Sequence, residues 1–321
     1  MTTTRIFLAI GFSLSVWLTP AFAQEAYPKR SVQIVNPYPA GSTTDILARA
    51  LAEGLTARLG QQFVILNRPG AGGALGTASV VRGDADGYTL LFAPALVVSL
   101  LPMLRNDTGY EPNALTPVCQ TFTNAMVIAV RDESPFKTLK DLIDTTKKAP
   151  GSVTYGHQGR GTIPHLAMEQ FLQSSGLKIR DIPYRGDPPV VTDLLGGQID
   201  VAALVIGAAN NSKLRVLGIF ASERNPTMPD VPTVKEQGYD VSPGSFGGLF
   251  APLDTPKDVI AKLATACEGA AQDGIYATAA KRAAQPTHYF ADAATFRKNL
   301  QADTAEKKKV IDALDQKLKQ D

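Results

Sequence analysis

The chain has 321 residues, 44% of them hydrophobic, with 32 Lys and Arg against 30 Asp and Glu, 2 Cys and 3 His. At about 150 residues per domain it is one large domain or two ordinary ones, each long enough to bury a core. A formal charge of +2 offers no basic patch for a phosphate backbone and argues against nucleic acid as a partner.

Met1 to Arg5 carries one positive charge, Ile6 to Leu18 is a short apolar run, and Ala21-Phe22-Ala23 has the small-x-small pattern that a signal peptidase cuts. A spanning helix needs about 20 apolar residues, and this run is shorter and closes at Pro20. Residues 1-23 are therefore expected to be a secretory signal, with the mature chain starting near Gln24 and no cysteine there to carry a lipid. Losing Arg5 leaves 31 basic residues against 30 acidic ones. A soluble, exported product is expected.

In the mature chain, Val32 to Val35 reads as a buried strand. It enters a turn-rich segment, Asn36 to Thr44, whose prolines forbid strand or helix interior. Ile46, Leu47, Ala50, Leu51, Leu55 and Leu59 then recur at helical spacing until Gly60. Phe63 to Leu66 is a strand, Asn67 to Gly73 a loop, Ala74 to Val81 a short helix, and Thr89 to Phe92 a strand. A second set follows: helix Leu139 to Lys148, strand Val153 to Tyr155, helix Ile163 to Ser175, strand Ile179 to Ile182, helix Val190 to Leu195 and strand Ile199 to Ile206. Such alternation predicts two α/β layers of doubly wound, parallel type. Met126 to Val130 and Phe246 to Ala251 are apolar runs expected to cross between the layers. From Pro256 the chain reads as helical, with Ile260, Leu263, Ala264 and Cys267 on one face and a Lys-rich, solvated last helix from Ala293.

Catalytic and cofactor motifs fail to match. Gly70 to Gly76 has the spacing GxGxxxG, with Leu75 where a dinucleotide loop needs its third glycine. Gly156 to Thr162 has phosphate-loop glycines without the lysine. No GxSxG, HExxH or paired-cysteine motif occurs, and His157 and His165 have no acidic partner at ligand spacing. Cys119 and Cys267, far apart and with no CxxC or nearby His, make no disulfide framework and are expected as small buried hydrophobes. No catalytic residue, cofactor or metal is expected. What Tyr38 to Asp45 and Gly156 to His165 share is position: each leaves a strand and enters a helix, aiming unpaired N–H groups at one point. Such a start holds a carboxylate without arginine, and the two loops would face each other across a clamshell.

The ordered motifs Tyr38-Pro39-Ala40-Gly41-Ser42-Thr43-Thr44-Asp45, Asn67 to Gly73, Asp86-Gly87-Tyr88-Thr89-Leu90-Leu91, Tyr155 to Thr162 with His165-Leu166-Ala167, Ile182-Pro183-Tyr184-Arg185-Gly186, Asp193 to Asp200 and Pro229-Asp230-Val231-Pro232-Thr233 span nearly the whole mature chain. In this they resemble the extracytoplasmic solute receptors of the tripartite tricarboxylate transporter family, the Bug receptors. The resemblance implies a type II periplasmic binding-protein fold of two α/β domains joined by two crossing strands, closing on a small carboxylate and delivering it to membrane permease subunits. It implies a monomer, with residues 24-123 and 250-321 in one domain, 124-249 in the other, and hinges near 124-131 and 244-251.

Carried over by position, Tyr38, Ala40, Gly41, Ser42 and Thr43 would line the ligand from the first domain, with Asp45 as a structural cap. Gly156, His157, Gly159, Arg160, Gly161 and Thr162 would line it from the second, and Tyr184, Arg185, Ala95 and Leu204 would complete the cleft. His157 and Arg160 stand where the family has small or neutral residues and would add positive charge, His157 more so as pH falls. The segment after Asp200, Val201 to Asn211, is shorter and more apolar than usual. A side chain at Gly41 is expected to block the ligand and leave the fold intact. From the residues alone, an exported α/β enzyme acting on a carboxylated substrate, or a sensory receptor docking on a membrane protein, remains open.

Overall fold

The computed structural model describes residues 27–318 apart from Lys213 and Ser242, so the expected signal peptide lies outside the described residues. No helix among the described residues is long and apolar enough to cross a membrane. Strand β1 (Val32–Asn36) leads into α1 (Thr43–Leu59), then β2 (Phe63–Asn67), a 3-10 turn (Ala71–Gly73), α2 (Ala74–Val81) and β3 (Thr89–Pro94). Two single-turn helices, α3 (Leu96–Ser99) and α4 (Leu101–Leu104), precede β4 (Leu115–Asn124). Then come β5 (Met126–Val130), α5 (Leu139–Lys148), β6 (Thr154–His157), α6 (Ile163–Ser175), β7 (Arg180–Pro183), α7 (Asp187–Leu195), β8 (Val201–Val205), α8 (Ile206–Asn211) and β9 (Arg215–Phe220). The chain finishes with β10 (Ser245–Pro252), α9 (Lys257–Ala271), α10 (Gly274–Arg282) and α11 (Ala293–Leu318).

Helix α1 shows how the pattern becomes packing. Leu47, Leu51 and Leu55 fall on one face at four-residue spacing and are wholly buried, each worth roughly 1.5 to 3 kcal/mol. Gly60 ends the helix in the left-handed conformation, φ +71°, that a side chain resists. The helix begins three residues earlier than its apolar spacing shows, because Ser42 caps it and Thr43, Thr44 and Asp45 form the first turn.

Ten strands form two five-stranded sheets, in the orders β2-β1-β3-β10-β4 and β7-β6-β8-β5-β9. The sheets share one plan. In the first, β1 pairs in parallel with β2 and β3 while β10 is antiparallel to β3 and β4; in the second, β6 pairs in parallel with β7 and β8 while β5 is antiparallel to β8 and β9. The antiparallel strand is in each case the first one laid down after the chain arrives from the other sheet.

That corrects the expected crossing strands. Met126–Val130 lies wholly in the second sheet and Ser245–Pro252, residues 245-249 included, wholly in the first. The passages are Ala125, a single residue between β4 and β5, and the segment 221-244 between β9 and β10. Two strands escape the sequence pattern for physical reasons. In β4, Pro117 breaks the expected run, and the sheet tolerates it because β4 is an edge strand. In β9, also an edge strand, Gly218 sits beside a register shift at Ile128/Ala129. Helix α8 is hidden inside an apolar run that reads as one strand through Ile206.

A second correction concerns the cysteines. Cys119 of β4 and Cys267 of α9 are both wholly buried, as expected, but bonded to each other as a disulfide across 148 residues of chain. Their separation in sequence hid a proximity that the return of the chain to the first sheet creates.

Candidate functional site

The loop between β1 and α1 is held by a small polar network. Ser42 Oγ accepts the Asp45 N–H at 3.2 Å, and Asp45 Oδ2 accepts the Gly41 N–H at 3.0 Å. Arg49 Nε donates to Asp45 Oδ2 at 3.0 Å and Asn67 Nδ2 to Oδ1 at 2.8 Å. Burial pushes the Asp45 carboxyl upward, but these hydrogen bonds outweigh it and hold the group below the usual carboxylate range. Asp45 is thus a carboxylate turned inward to fix the loop, while Ser42 is the residue that caps the helix.

The loop between β6 and α6 repeats the device. Gly161 N–H donates to His165 Nδ1, four residues on, as Gly41 does to Asp45. Gly159 N–H donates to His157 Nδ1, and Thr162 gives both its N–H and its hydroxyl to the Gly159 carbonyl. The consequence is that most of the expected donors are spent within the loops: Gly41 on Asp45, Ser42 on the Pro39 carbonyl, Gly159 and Gly161 on histidines, and Thr162 on Gly159. At the start of α1 the N–H groups of Thr43 and Thr44 remain, with no acceptor among the described residues. Beside them the Thr43 hydroxyl oxygen is buried and unpartnered.

The two loops approach each other through shared neighbours: Gln158 hydrogen-bonds the Asp187 carboxyl, which acts on Tyr38, and the Tyr38 hydroxyl lies 3.5 Å from the carbonyl of Gly72. Gly159 and Gly161 meet the 3-10 turn and α4: a Cβ built on Gly159 would lie 3.6 Å from Gly72 Cα, and one on Gly161 would lie 3.1 Å from Leu101 Cδ1. The β1–α1 loop meets α7 instead, where a Cβ on Gly186 would lie 2.6 Å from Pro39 Cδ. Between these elements is a cavity of about 220 Å³, walled on one side by Gly41, Ser42 and Thr43 and on the other by Asp187, Pro188 and Val191 of α7 with Ala208, Asn211 and Ser212 of α8. A larger cavity of about 950 Å³ opens near the passages between the sheets, beside Gln120, Asn124, Gln170 and Ser245. There Gln120 is bonded to Tyr289 and Asn299, Asn124 to Gln285, and no first turn of a helix lines the space. The smaller cavity, with its open donors, is the better candidate.

The other expected residues fall outside that cavity. Tyr38 is buried, its hydroxyl 3.5 Å from the Gly72 carbonyl; Ala40 is exposed. The Ala95 N–H donates to the Phe246 carbonyl, and Leu204 is wholly buried in β8. Gly156 packs against the second core, where a Cβ would lie 2.5 Å from Ile199 Cδ1. Tyr184 donates its hydroxyl to Asp193 at 2.6 Å, and Arg185 is exposed.

The expected charge of His157 and Arg160 is corrected. His157 is wholly buried, and burial together with the neighbouring His165 pushes its pKa down to about 4. It is neutral at pH 5.5, so ligand affinity is expected to show no His157-dependent rise between pH 7.5 and 5.5; a proton NMR titration of His157 with a midpoint above 6 would contradict this. Arg160 lies at the surface with both guanidinium arms on Asp181, at 3.0 and 3.2 Å, which neutralises it. His157, His165 and Asp181 have the spacing of a metal site, the one such group among the described residues. The donor set fits poorly, since both Nδ1 atoms accept backbone N–H groups and so leave the protons on Nε2, while Arg160 holds the carboxylate.

Sequence reasoning missed Asp187, Pro188, Val191, Ala208, Asn211 and Ser212. The available signal was Asp187-Pro188-Pro189 directly after Gly186, a helix opening with an acid at its first position.

Gly41 also differs from expectation. Its φ is +79°, and a Cβ there would meet nothing within 4 Å. A valine would strain the backbone at this positive φ, so Gly41→Val is expected to lower the melting temperature, contrary to a pure block of the ligand. An unchanged melting temperature would show that the loop relaxes freely.

Protein BugT of Bordetella pertussis is 35% identical to this chain over 274 residues, which are 82% of this chain and 83% of that protein. Two solved structures are similar throughout. Rpa4515 of R. palustris with adipate gives a TM-score of 0.83 at 26% identity, covering 89% of this chain and 97% of the other. MatC from Rhodopseudomonas palustris with bound malate gives 0.81 at 26% identity, covering 87% and 98%. Residues 47–316 match the tripartite tricarboxylate transporter family receptor, and with two sheets of matching plan and a cavity at their junction, the chain belongs to that family of receptors.

Proposed function

We propose that the protein is a non-catalytic periplasmic receptor, exported on the signal peptide 1-23, that binds a small carboxylate between its two sheets and presents it to the permease of a tripartite tricarboxylate-type transporter. The observation that carries the reading is the start of α1: the Thr43 and Thr44 N–H groups and the buried Thr43 hydroxyl have no partner among the described residues, beside a cavity that Gly41, Ser42 and Thr43 line together with α7 and α8. The adipate and malate held by the two relatives support the carboxylate class. The units that close are the two sheets with their helices, divided at Ala125 and within the segment 221-244 rather than at 124 and 249, and Tyr184, Arg185 and the Gly156 to Thr162 loop act as supports for the second wall.

A carboxylate at a helix start contributes about 0.3 to 1 kcal/mol when exposed and up to about 2 when partly buried. Micromolar affinity needs about 8 kcal/mol, so contacts from both walls and exclusion of water must supply most of it. The test is calorimetric titration of the mature protein, first stripped by unfolding and refolding, with a panel of mono-, di- and tricarboxylates. Thr43→Val, which removes the hydroxyl and keeps the shape, is expected to weaken carboxylate binding about 10- to 150-fold, from about 1.5 to 3 kcal/mol per hydrogen bond to a charge, without lowering the melting temperature. Undiminished affinity would remove the start of α1 from the site.

A further inference from the structure

The larger cavity, of about 950 Å³, stands apart from the start of α1 and has the size of a small-molecule site, about 300 to 1,000 Å³. Both sheets build it. Gln120 and Asn124 of β4 with Tyr289 and Asn299 come from the first, Gln170 and Gln173 of α6 from the second. No Lys, Arg or His lines the space, while Asp240 and Asp303 do, so a carboxylate there would meet repulsion and no counterion. A cation is served no better at Asp240, which already pairs with Lys235 at 3.1 Å.

The open groups alternate in kind. Buried Asn124 accepts Gln285 on Oδ1, which leaves its Nδ2 protons, and Asn299 donates Nδ2 to Gln120 at 2.9 Å, which leaves its Oδ1. Tyr289 accepts Gln120 Nε2 at 2.6 Å, and burial raises its pKa, so the phenol keeps a proton to donate. The side-chain amides of Gln170 and Gln173 make no hydrogen bond among the described residues, and each adds a donor and an acceptor. Every hydroxyl of a sugar both donates and accepts, which suits a wall of interleaved donors and acceptors. Phe246 and Tyr289 line the same space and supply aromatic surface for the C–H face of a ring. We propose that this cavity is a second binding site, for a neutral polyhydroxylated ring such as a sugar, separate from the carboxylate cavity beside α1.

The position of the site couples it to closure, a consequence that rests on the carboxylate-receptor reading. Asn124 directly precedes Ala125, one passage between the sheets, and Val241 and Pro243 belong to the other, the segment 221-244. Rotation of the sheets about these passages must reshape the cavity. A sugar that fits it as it stands favours the arrangement in which Gly159 and Gly72 approach across the sheets, and so should raise carboxylate affinity; the carboxylate should raise sugar affinity by the same factor.

The experiment titrates the stripped, mature protein by calorimetry with glucose, galactose, mannose, ribose, sucrose, maltose, trehalose and myo-inositol, and with putrescine as the cationic rival. At least one polyhydroxyl compound is expected to bind tighter than about 1 mM without displacing a bound carboxylate, and at saturation to tighten the best carboxylate about threefold or more. Ala302→Trp and Gln173→Trp fill the cavity from opposite walls at exposed positions, and each should lose the sugar. The wild-type titrations need no variant to fold. Binding of no sugar or inositol, competition between sugar and carboxylate, sugar binding unchanged in the folded tryptophan variants, or putrescine bound in place of every sugar would each overturn the second site. A sugar that binds and leaves carboxylate affinity unchanged would overturn the coupling alone. Failure of every carboxylate would overturn the receptor reading and the coupling, while the sugar titration still decides the site.

Discussion

Reduction of the Cys119–Cys267 disulfide is expected to lower the stability of the folded protein by about 3 to 5 kcal/mol. The bond closes a loop of 148 residues that contains the whole second sheet, and a chain-entropy account puts such a loop near 5 kcal/mol as an upper figure. It joins β4, the last strand before the chain leaves the first sheet, to α9, the first helix after it returns. Without it, the two halves of the first sheet must find each other across the entire second sheet. For a chain of this size the loss corresponds to a fall of roughly 10 °C in melting temperature. Both cysteines are wholly buried, so reductant should act only when the protein opens. The measurement is thermal and urea unfolding of the oxidised protein, the reduced protein and the double variant Cys119→Ala with Cys267→Ala. A difference under 1 °C would show that the bond constrains nothing the fold does not already hold.

Asp187→Asn should raise the stability of the ligand-free protein at pH 8, by up to about 4 kcal/mol. The sign follows from burial: the folded-state pKa, about 7, lies above the ordinary 3.8, so between those values the folded protein holds a proton that the unfolded chain releases. The contribution of Asp187 to stability is therefore fully present below pH 3.8 and is lost as pH rises through 7. About three units at 1.36 kcal/mol each set the upper figure. His157 and His165, buried as neutral rings, act in the opposite sense, favouring the folded state as pH rises toward 6.5. The difference between wild type and Asp187→Asn isolates the carboxyl from them. Urea unfolding of both proteins from pH 5 to 8 should give curves that diverge with rising pH. Parallel curves would show that Asp187 is ionised at no cost, and would point to a counterion in the folded protein.

Much of the fold was legible in local pattern. The alternation of apolar strands and amphipathic helices, the Ser42 cap and the Gly60 stop are each decided within a few residues, so they survive in the sequence read alone. The order of motifs along the chain was enough to indicate the family. Pairing was not legible, because it joins residues far apart: Cys119 to Cys267, the insertion of β5 and β10 as antiparallel strands, and Pro117 made harmless by an edge position. Charge was not legible either. His157 and Arg160 read as positive groups until burial neutralised one and Asp181 the other. The glycine loops promised donors, and only the folded chain shows that Asp45, His157 and His165 have already taken them. The chemistry of the cavity arises where α7 and α8 of one sheet meet the start of α1 of the other, and Asp187 acquires its properties from that burial. Sequence determined the elements and their order; tertiary structure decided which polar groups stayed unpaired, because pairing depends on neighbours that only packing brings within hydrogen-bond reach.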